Sequence, residues 1–461
     1  FSGDVTKGST TVASNTAVTG TEKDTLSDFE NIQGGSGDDA LYGSDAANAL
    51  SGGAGSDELI GNDGADTLSG EAGDDILKGG AGNDVLDGGT GIDEADYSDT
   101  NANVTANLAN NTASSEQIGT DALTSIENIR TGSGADTITG DDQNNELWTG
   151  AGSDTINAGS GDDSIHAGAG DDQVDGGDGI DTIIYDDVTG PITIDLVAGT
   201  AQGGAGSNAG LDTLSNIENI IASGGADTIT GDSNDNRIDG AASSDTIDAG
   251  AGNDTVVFDE NDGLVSGGAG NDTLTVGAGV TLLDLTVTRN EVFTQFETID
   301  ISADGAQIIK LSDADIRALS GDGTSTTDGT LVIKGTSADS IRLVGANWPT
   351  QPTKADGSVA DQSIPAEYTE VIDGITYEIY AYNVAGGLTT VKVQQGISVG
   401  FIFVSGEEGD VTQGTDGSDE YTGNGGNDTF VAGDGVDSGN AGSGEDRIVE
   451  GCGKDNIQGG W

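Results

Sequence analysis

Residues 34–87 consist of six nine-residue units that follow one another without a gap. They read GGSGDDALY, GSDAANALS, GGAGSDELI, GNDGADTLS, GEAGDDILK and GGAGNDVLD. Within each unit, positions one, two and four favour Gly, position six is Asp or Asn, and position eight is Leu. A period of nine matches neither the helical nor the alternating strand template. It predicts a coil in which three-residue strands alternate with six-residue turns, two units completing one turn.

In such a coil, the Leu at position eight points into a thin shared core, and positions seven and nine face water. The turns must contain residues with positive φ, a conformation that Gly adopts at little steric cost. The glycines of the repeat therefore answer a geometric requirement of the turns.

Stacking also brings acidic residues together in rows. Asp39 falls in one row with Asp57 and Asp75, while Asp66 and Asp84 share the opposite edge with Asn48. Successive rungs are about 4.8 Å apart, a distance at which two carboxylates repel by roughly 1 kcal/mol in water and by more near protein. Cations between the rungs would remove this repulsion. Carboxylates beside exposed turn carbonyls form a hard oxygen cage, which suits calcium better than magnesium or a thiolate-seeking metal.

The pattern GGxGxDxUx resembles the calcium-binding RTX repeat of bacterial proteins exported by type I secretion. The resemblance implies an all-β fold, a parallel β-roll (β-solenoid), with calcium held between turns two repeats apart through Asp carboxylates and backbone carbonyls. A disordered Gly/Asp-rich linker is the alternative. It is disfavoured because disorder does not require an apolar residue at every ninth position.

Position six supplies the candidate calcium ligands throughout the chain. Asn48, Asn145 and Asn236 occupy the second unit of their blocks, where we expect weaker or metal-free sites, or simply polar turns. The predicted metal ligands are Asp39, Asp57, Asp66, Asp75, Asp84, Asp93, Asp136, Asp154, Asp163, Asp172, Asp181, Asp227, Asp245, Asp254, Asp272, Asp419, Asp428, Asp437, Asp446 and Asp455.

A longer repeat of roughly ninety residues organises the blocks. The phrases DTLSDFENI, DALTSIENI and DTLSNIENI each close a spacer, which we expect to be a wider rung of the coil. The predicted division is 1–33, tail of a spacer; 34–96, block 1; 97–130, spacer; 131–184, block 2; 185–221, spacer; 222–276, block 3; 277–410, β-rich domain; and 411–461, block 4. Because the first copy begins in mid-phrase, we expect the natural protein to continue upstream or a neighbour to supply the missing rung.

The inserted segment 277–410 has fewer glycines and several aliphatic strand patterns. It can continue the coil or pack as a separate sandwich. One short helix is predicted at 313–319, with Ser312 as its cap and Ile316 and Leu319 on one face. The loop 348–365 is expected to be exposed. The phrase DGITYEIYAYN at 373–383 is similar to segments near the ends of large RTX surface adhesins.

The charge of the chain restricts its partners. A net charge of −67 argues against nucleic acid or an anionic membrane as partner and favours divalent cations. About 33 calcium ions would balance these charges, and without them we expect the repeats to be unfolded. Cys452 is the only cysteine, so no internal disulfide can form, and no apolar run is long enough to cross a bilayer. The need for millimolar calcium predicts an extracellular or cell-surface location, and the RTX resemblance implies that a bacterial type I secretion system exports the chain.

An enzyme is not expected. The sequence contains no HExxH, and His166, the only histidine, occupies position nine of AGSGDDSIH, where we expect it to face solvent. The GxSxG match at 396–400 is followed by a strand pattern instead of the helix that a nucleophile elbow requires.

The sequence therefore predicts a secreted, calcium-dependent structural protein. In the favoured interpretation it self-associates into an extracellular filament or surface layer, the rung at Trp461 stacking on the rung at Phe1 of the next copy. Two alternatives stay open: the stalk and binding domain of an adhesin that recognises a cell-surface ligand, and the export tail of a secreted enzyme.

Overall fold

The computed structural model describes residues 31–277, 279–285, 293–303, 306–312, 315, 316, 319, 329–336, 338–344, 369–372, 375–384, 387–394, 397–404, 411–413, 418–422, 429–431, 436–443, 446–449 and 453–458. Phe1, Asp428, Cys452, Trp461 and the loop 348–365 lie outside these residues, so the expectations about them stay predictions. The chain divides into two compact units, 1–228 and 229–461.

Short strands make up the first unit. They are β1 (Asn31–Gln33), β2 (Ala40–Tyr42), β3 (Ala49–Ala54), β4 (Glu58–Ile60), β5 (Asp63–Gly64), β6 (Thr67–Ala72), β7 (Ile76–Lys78), β8 (Ala81–Gly82), β9 (Val85–Thr90), β10 (Glu94–Asp96), β11 (Thr105–Asn107), β12 (Thr112–Ser115), β13 (Gly119–Thr124), β14 (Asn128–Arg130), β15 (Thr137–Thr139), β16 (Glu146–Trp148), β17 (Ala151–Gly152), β18 (Thr155–Ser160), β19 (Ser164–His166), β20 (Ala169–Gly170), β21 (Gln173–Asp178), β22 (Thr182–Ile184), β23 (Ile192–Asp195), β24 (Thr200–Gly203), β25 (Leu211–Ser215) and β26 (Asn219–Ile221).

Strand β27 (Thr228–Thr230) lies across the division between the units. The second unit contains β28 (Arg237–Asp239), β29 (Thr246–Asp248), β30 (Thr255–Phe258), β31 (Val265–Ser266), β32 (Thr273–Val276), β33 (Leu282–Asp284), β34 (Phe293–Thr294), β35 (Thr298–Asp300), β36 (Ile308–Ser312), β37 (Gly329–Lys334), β38 (Ser340–Val344), β39 (Thr369–Ile372), β40 (Ile375–Val384), β41 (Gly387–Gln394), β42 (Ser398–Val404), β43 (Val411–Gln413), β44 (Glu420–Thr422), β45 (Thr429–Val431), β46 (Ser438–Asn440), β47 (Arg447–Val449) and β48 (Asn456–Gln458).

The strands of the first repeat block stack in parallel on two sheets. In one sheet Leu50 pairs with Leu68, which pairs with Leu86. In the other, Leu59 pairs with Leu77. Paired residues are separated by two nonapeptides, so two nonapeptides complete one turn of the roll, as predicted. The all-β parallel roll is confirmed.

The core of the roll is thin and apolar. Leu59, Leu68 and Leu77 are fully buried, whereas position seven is partly open, with Ile76 40 % exposed and Val85 43 % exposed. Because consecutive strand residues point to opposite faces, position eight enters the core while position seven stays outside. The alternation within each three-residue strand therefore follows the sequence pattern.

The first spacer forms a wider rung of the same roll. Strands β11, β12 and β13 pair antiparallel in sequence, with Ala113 opposite Ala106 and Asp121. The outer strands then join the parallel stack, since β11 pairs with β15 and β13 pairs with β9. The second spacer repeats this arrangement with β23, β24 and β25. Each spacer thus adds an antiparallel fold to one sheet without interrupting the stacking.

In the second unit, most described strands of 277–410 continue the parallel stacking, whereas β39, β40 and β41 pair antiparallel with one another. Strand β32 pairs with β35, β35 with β37, and β37 with β41. On the other side β33, β36, β38, β42 and β44 pair in succession. The segment predicted as an inserted β-rich domain is β-rich, and its alternating buried aliphatics, such as Ile299 and Ile333, fill the same kind of core. Its boundaries at 277 and 410 stay a prediction.

A helical turn follows β36. Residues 315, 316 and 319 are helical, and Ile316 and Leu319 are buried. The N–H of Asp315 donates to Oγ of Ser312 at 3.3 Å, and the N–H of Ser312 donates to Oδ2 of Asp315 at 2.6 Å. This reciprocal pair is a capping box, so Ser312 caps the turn as the sequence predicts. No helix among the described residues is long and apolar enough to span a membrane.

Substitution of Gly73 by Ala tests the turn geometry. Gly73 has a φ of 132°, and an added Cβ would overlap the carbonyl oxygen of Gly55 in the neighbouring rung. We expect Gly73→Ala to lower the free energy of unfolding in saturating calcium by about 1–3 kcal/mol, because only Gly adopts this region freely. Urea denaturation followed by circular dichroism measures the change.

Glu71→Gly provides the matched control. Glu71 lies two residues earlier in the same turn, is not Gly, and has a φ of 76°. Gly at this position relieves the left-handed strain, so this variant should be at least as stable as the parent. A Gly73→Ala protein as stable as the parent would contradict the role assigned to the turn.

Candidate metal centre

The side chains at position six form two rows along the edges of the roll. In the first row, the N–H of Asp57 donates to Oδ1 of Asp75 at 2.7 Å, and the N–H of Asp75 donates to Oδ1 of Asp93 at 2.8 Å. In the second row, the N–H of Asp66 donates to Oδ1 of Asp84 at 2.8 Å. Each Asp thus uses one carboxylate oxygen to hold the backbone of the preceding rung.

The structure buries most of the predicted ligands. The buried ones are Asp57, Asp66, Asp75, Asp84, Asp93, Asp136, Asp154, Asp163, Asp172, Asp181, Asp227, Asp245, Asp254, Asp272, Asp419 and Asp437. Asp39, Asp446 and Asp455 are half-buried. Carboxylates are rarely buried unless they are paired, hydrogen-bonded or bound to a metal, so their surroundings decide their role.

The second carboxylate oxygen faces the interior of the turns without a protein hydrogen-bond donor. This holds for Oδ2 of Asp57, Asp66, Asp75, Asp84, Asp93, Asp136, Asp154, Asp163, Asp172, Asp181, Asp254, Asp272 and Asp437. Leaving a buried anionic oxygen unsatisfied is strongly unfavourable, and repeating it along each row multiplies the penalty. A bound cation would satisfy these atoms.

Backbone carbonyls open into the same spaces. A Cβ added to Gly34 would lie 2.6 Å from Oδ2 of Asp39 and would also overlap the carbonyl oxygen of Gly52. A Cβ added to Gly79 would lie 2.5 Å from Oδ2 of Asp84. Within the described ranges, no three Asp, Glu, His or Cys side chains converge on one point. The donor set is therefore carboxylate oxygen with main-chain oxygen, which fits calcium and its six to eight oxygen ligands.

Burial and crowding raise the pKa of these carboxyls in the metal-free roll. Burial, opposed by a backbone hydrogen bond and reinforced by neighbouring carboxylates, raises the pKa of Asp57 to about 6. The same causes raise the pKa of Asp172 to about 7 and that of Asp254 to about 7. Protons and calcium therefore compete for the same oxygens.

At several positions the protein itself satisfies the side-chain oxygens, as at Asp39, whose Oδ2 accepts from the N–H of Gly35 at 2.7 Å. Nδ2 of Asn145 donates to the carbonyl oxygen of Glu127 at 2.8 Å, and Oδ1 of Asn145 accepts from the N–H of Asp141 at 2.9 Å. This arrangement agrees with the expectation of a weaker or metal-free position. At Asp227, Oδ2 accepts from both the N–H and the Oγ of Ser223, at 3.0 and 2.9 Å. Asp227 stays a predicted ligand, although its oxygens already have donors.

The spacers extend both rows with residues that the sequence analysis did not select. The N–H of Asp84 donates to Oδ1 of Asp121 at 2.9 Å, and the N–H of Asp93 donates to Oε2 of Glu127 at 2.9 Å. Asp212 and Glu218 extend the rows of the second block in the same way. These residues could have been found from the sequence, because the Asp and the Glu are six positions apart in both DALTSIENI and DTLSNIENI.

A buried tyrosine closes one of these rows. The hydroxyl of Tyr185 donates to Oδ2 of Asp212 at 2.8 Å, and Tyr185 is fully buried. The hydroxyl therefore gives this oxygen the partner that a bound cation would give such an oxygen elsewhere in the rows. Burial raises the pKa of Tyr185 well above its usual value, which keeps it a donor.

The expectation that His166 faces solvent is wrong. His166 is 8 % exposed and stacks on Trp148, with ring centroids 5.1 Å apart and planes 20° from parallel. Its Nδ1 lies 3.3 Å from Oδ1 of Asp186, and its Nε2 lies 3.5 Å from Oε1 of Glu146. Side chains at position nine of successive rungs stand about 4.8 Å apart, so an aromatic neighbour covers the imidazole.

Comparison with known families finds the RTX calcium-binding nonapeptide repeat. Its model matches residues 15–59, 60–95, 123–156, 148–183, 220–256, 260–280 and 413–448, which together cover about half of the chain. These segments include most of the rows described above. The recurrent calcium-binding motif predicted from the sequence is confirmed.

Among solved structures, the chain is similar to the extracellular lipase LipA from Serratia marcescens. The two share 16 % sequence identity, and the match covers 84 % of this chain and 40 % of that chain. The TM-score is 0.15. No curated protein sequence gives a significant match.

Proposed function

The chain belongs to the RTX calcium-binding nonapeptide-repeat family, and from this premise we propose that it is a secreted structural protein that folds as it binds calcium. Its repeats are calcium-binding motifs, so several ions per chain are expected. Calcium has a structural role here: it neutralises the acidic rows and joins successive rungs. Export by type I secretion would deliver the chain to a medium rich in calcium.

One observation supports this proposal above all others. In the rows of buried Asp residues, one carboxylate oxygen accepts a hydrogen bond from a backbone N–H, and the other has no hydrogen-bond donor in the protein. A chain with a net charge of −67 cannot leave these oxygens both ionised and unliganded at neutral pH without a large electrostatic penalty. Calcium bound between the turns removes that penalty.

We further propose that the folded chain assembles into an extracellular filament or surface layer. Within each of the two compact units, main-chain hydrogen bonds between paired strands join successive rungs, and this pairing does not depend on a particular side chain. Contacts of this kind can join two chains as readily as two rungs, which favours head-to-tail growth.

Electron microscopy tests this assembly. Negatively stained protein should form ordered polymers in millimolar calcium and disperse after addition of excess chelator. Dispersed rods that bind cells in calcium would instead support the alternative role as the stalk and binding domain of an adhesin. Dispersed rods that bind no cells would contradict both roles and leave the export tail of an enzyme, which the reading frame upstream of Phe1 would identify.

A further inference from the structure

A common set of contacts recurs where a repeat block meets the segment that follows it. In each case the last Asp of a row meets a short phrase with a glutamate two residues after a residue of left-handed backbone. We call these three places the junctions. They are formed by Asp93, Ser125 and Glu127; by Asp181, Asn216 and Glu218; and by Asp272, Gln295 and Glu297.

The repeat block contributes a buried carboxylate to each junction. Asp93, Asp181 and Asp272 are each 0 % exposed. Their Oδ1 atoms accept backbone N–H groups of the preceding rung at 2.8, 2.9 and 2.8 Å. Their Oδ2 atoms have no hydrogen-bond donor in the protein. Each junction therefore contains an unsatisfied anionic oxygen that is closed off from water.

The following phrase contributes a backbone carbonyl held in a strained conformation. Ser125, Asn216 and Gln295 have φ values of 48°, 51° and 60°, although none of them is glycine. This conformation turns their carbonyl oxygens toward the buried Asp. A Cβ added to Gly88, Gly176 or Gly267 would meet both that carbonyl and the Asp carboxylate. Left-handed backbone at residues other than Gly, repeated at three equivalent places, indicates a functional constraint.

The glutamate completes the set. Oε2 of Glu127 accepts from the N–H of Asp93 at 2.9 Å, and Glu218 and Glu297 accept from Asp181 and Asp272 at 3.0 and 2.8 Å. The glutamate takes the place that the next Asp of the row would occupy. The backbone on either side is fixed as well, since the N–H groups of Glu127 and Asn128 both donate to the carbonyl oxygen of Asp93.

We propose that each junction is a calcium site of mixed origin, built from the last Asp of a repeat block and from the carbonyl and glutamate of the phrase that follows. This inference rests on the proposed calcium-dependent function and extends it to residues outside the nonapeptides. Asn216, Glu218, Gln295 and Glu297 lie outside the segments matched by the family model. An ion at this position binds the end of a repeat block to the first rung after it.

Counting bound ions tests the junctions. Native mass spectrometry of the full chain in saturating calcium should show that Glu127→Gln, Glu218→Gln and Glu297→Gln each bind about one ion fewer than the parent, and that the triple variant binds about three fewer. Gln keeps an oxygen that can accept the Asp N–H and removes only the charge. Glu116→Gln, in an exposed part of the first spacer, is the control and should keep the parent count.

Anomalous diffraction from calcium-loaded crystals of the parent gives a second test that needs no variant. Each junction should show an anomalous peak about 2.3–2.6 Å from the Asp Oδ2 and from the carbonyl of the left-handed residue. Unchanged ion counts in the folded variants, or junctions without a peak in crystals with calcium elsewhere in the rows, would overturn the inference while leaving the proposed function intact. A parent chain that binds no calcium would overturn the proposed function itself.

Discussion

Excess EGTA at neutral pH and low ionic strength should unfold the calcium-loaded chain. The buried Oδ2 atoms of residues such as Asp75 and Asp154 would then be ionised without a ligand, and neighbouring rungs would repel along every row. The thin apolar core offers little compensation. Far-UV circular dichroism should lose its β signal, and small-angle scattering should show an expanded chain.

Three controls separate metal binding from simple charge screening. Calcium added in excess over the chelator should restore the signal. Magnesium at the same free concentration should restore less, because it demands a tighter octahedral shell than these carboxylate and carbonyl groups offer. High salt without calcium should give only partial recovery, since it screens the repulsion but does not satisfy the buried oxygens. A sheet content unchanged in EGTA would contradict the account of the acidic rows.

Acidification should partly replace calcium in holding the metal-free chain together. Burial raises the pKa of Asp154 to about 6 and that of Asp172 to about 7 in the folded, metal-free state, above the ordinary 3.8. A group with a raised folded pKa stabilises the fold fully below its unfolded pKa, and this stabilisation is lost as pH rises through the folded pKa. Metal-free protein should therefore contain more β structure at pH 5 than at pH 8.

Circular dichroism of protein stripped of metal on a chelating resin measures this effect. Spectra at pH 5 stay above the sequence pI of about 4.1, which limits precipitation. The apparent calcium affinity should move in the opposite direction and weaken as pH falls through 7 to 6, because protons compete for the same carboxylates. Asp154→Asn with Asp172→Asn should flatten the pH dependence of the metal-free chain. Equal or greater β content at pH 8 would contradict the pKa argument.

The periodic features of the fold were predictable because each follows from local geometry. In residues 34–87 a Leu recurs at every ninth position, Leu68 among them. This spacing predicts that the Leu side chains lie in the core and that two nonapeptides form one turn, as the pairing of Leu50 with Leu68 shows. The rows follow from the same register, so the partners of Asp57 and Asp66 could be named in advance. The ligand role of the predicted Asp residues stays a prediction, which the ion counts would test.

Features that depend on which residues are neighbours in the folded structure were not predicted in this way. His166 has the sequence position of a solvent-facing residue and is buried because Trp148 stands one rung away. Glu127 belongs to a phrase outside the nonapeptide pattern and enters the row only because the antiparallel spacer returns the chain to the right place. The period does relate Trp148 to His166, which are two nonapeptides apart, but it does not show that an aromatic ring one rung away buries the imidazole. No single period relates Glu127 to Asp93.

The amino-acid sequence by itself determined that this chain is an acidic parallel roll whose repeats bind calcium, because a nine-residue period fixes strand, turn, core and charge together. Only the tertiary structure decided where the rows end and which groups close them. The hydroxyl of Tyr185 satisfies Asp212, and the carbonyl oxygens of three residues with left-handed backbone lie beside buried carboxylates. These contacts depend on how the wider rungs fold back on the roll, a property of chain path and not of residue spacing.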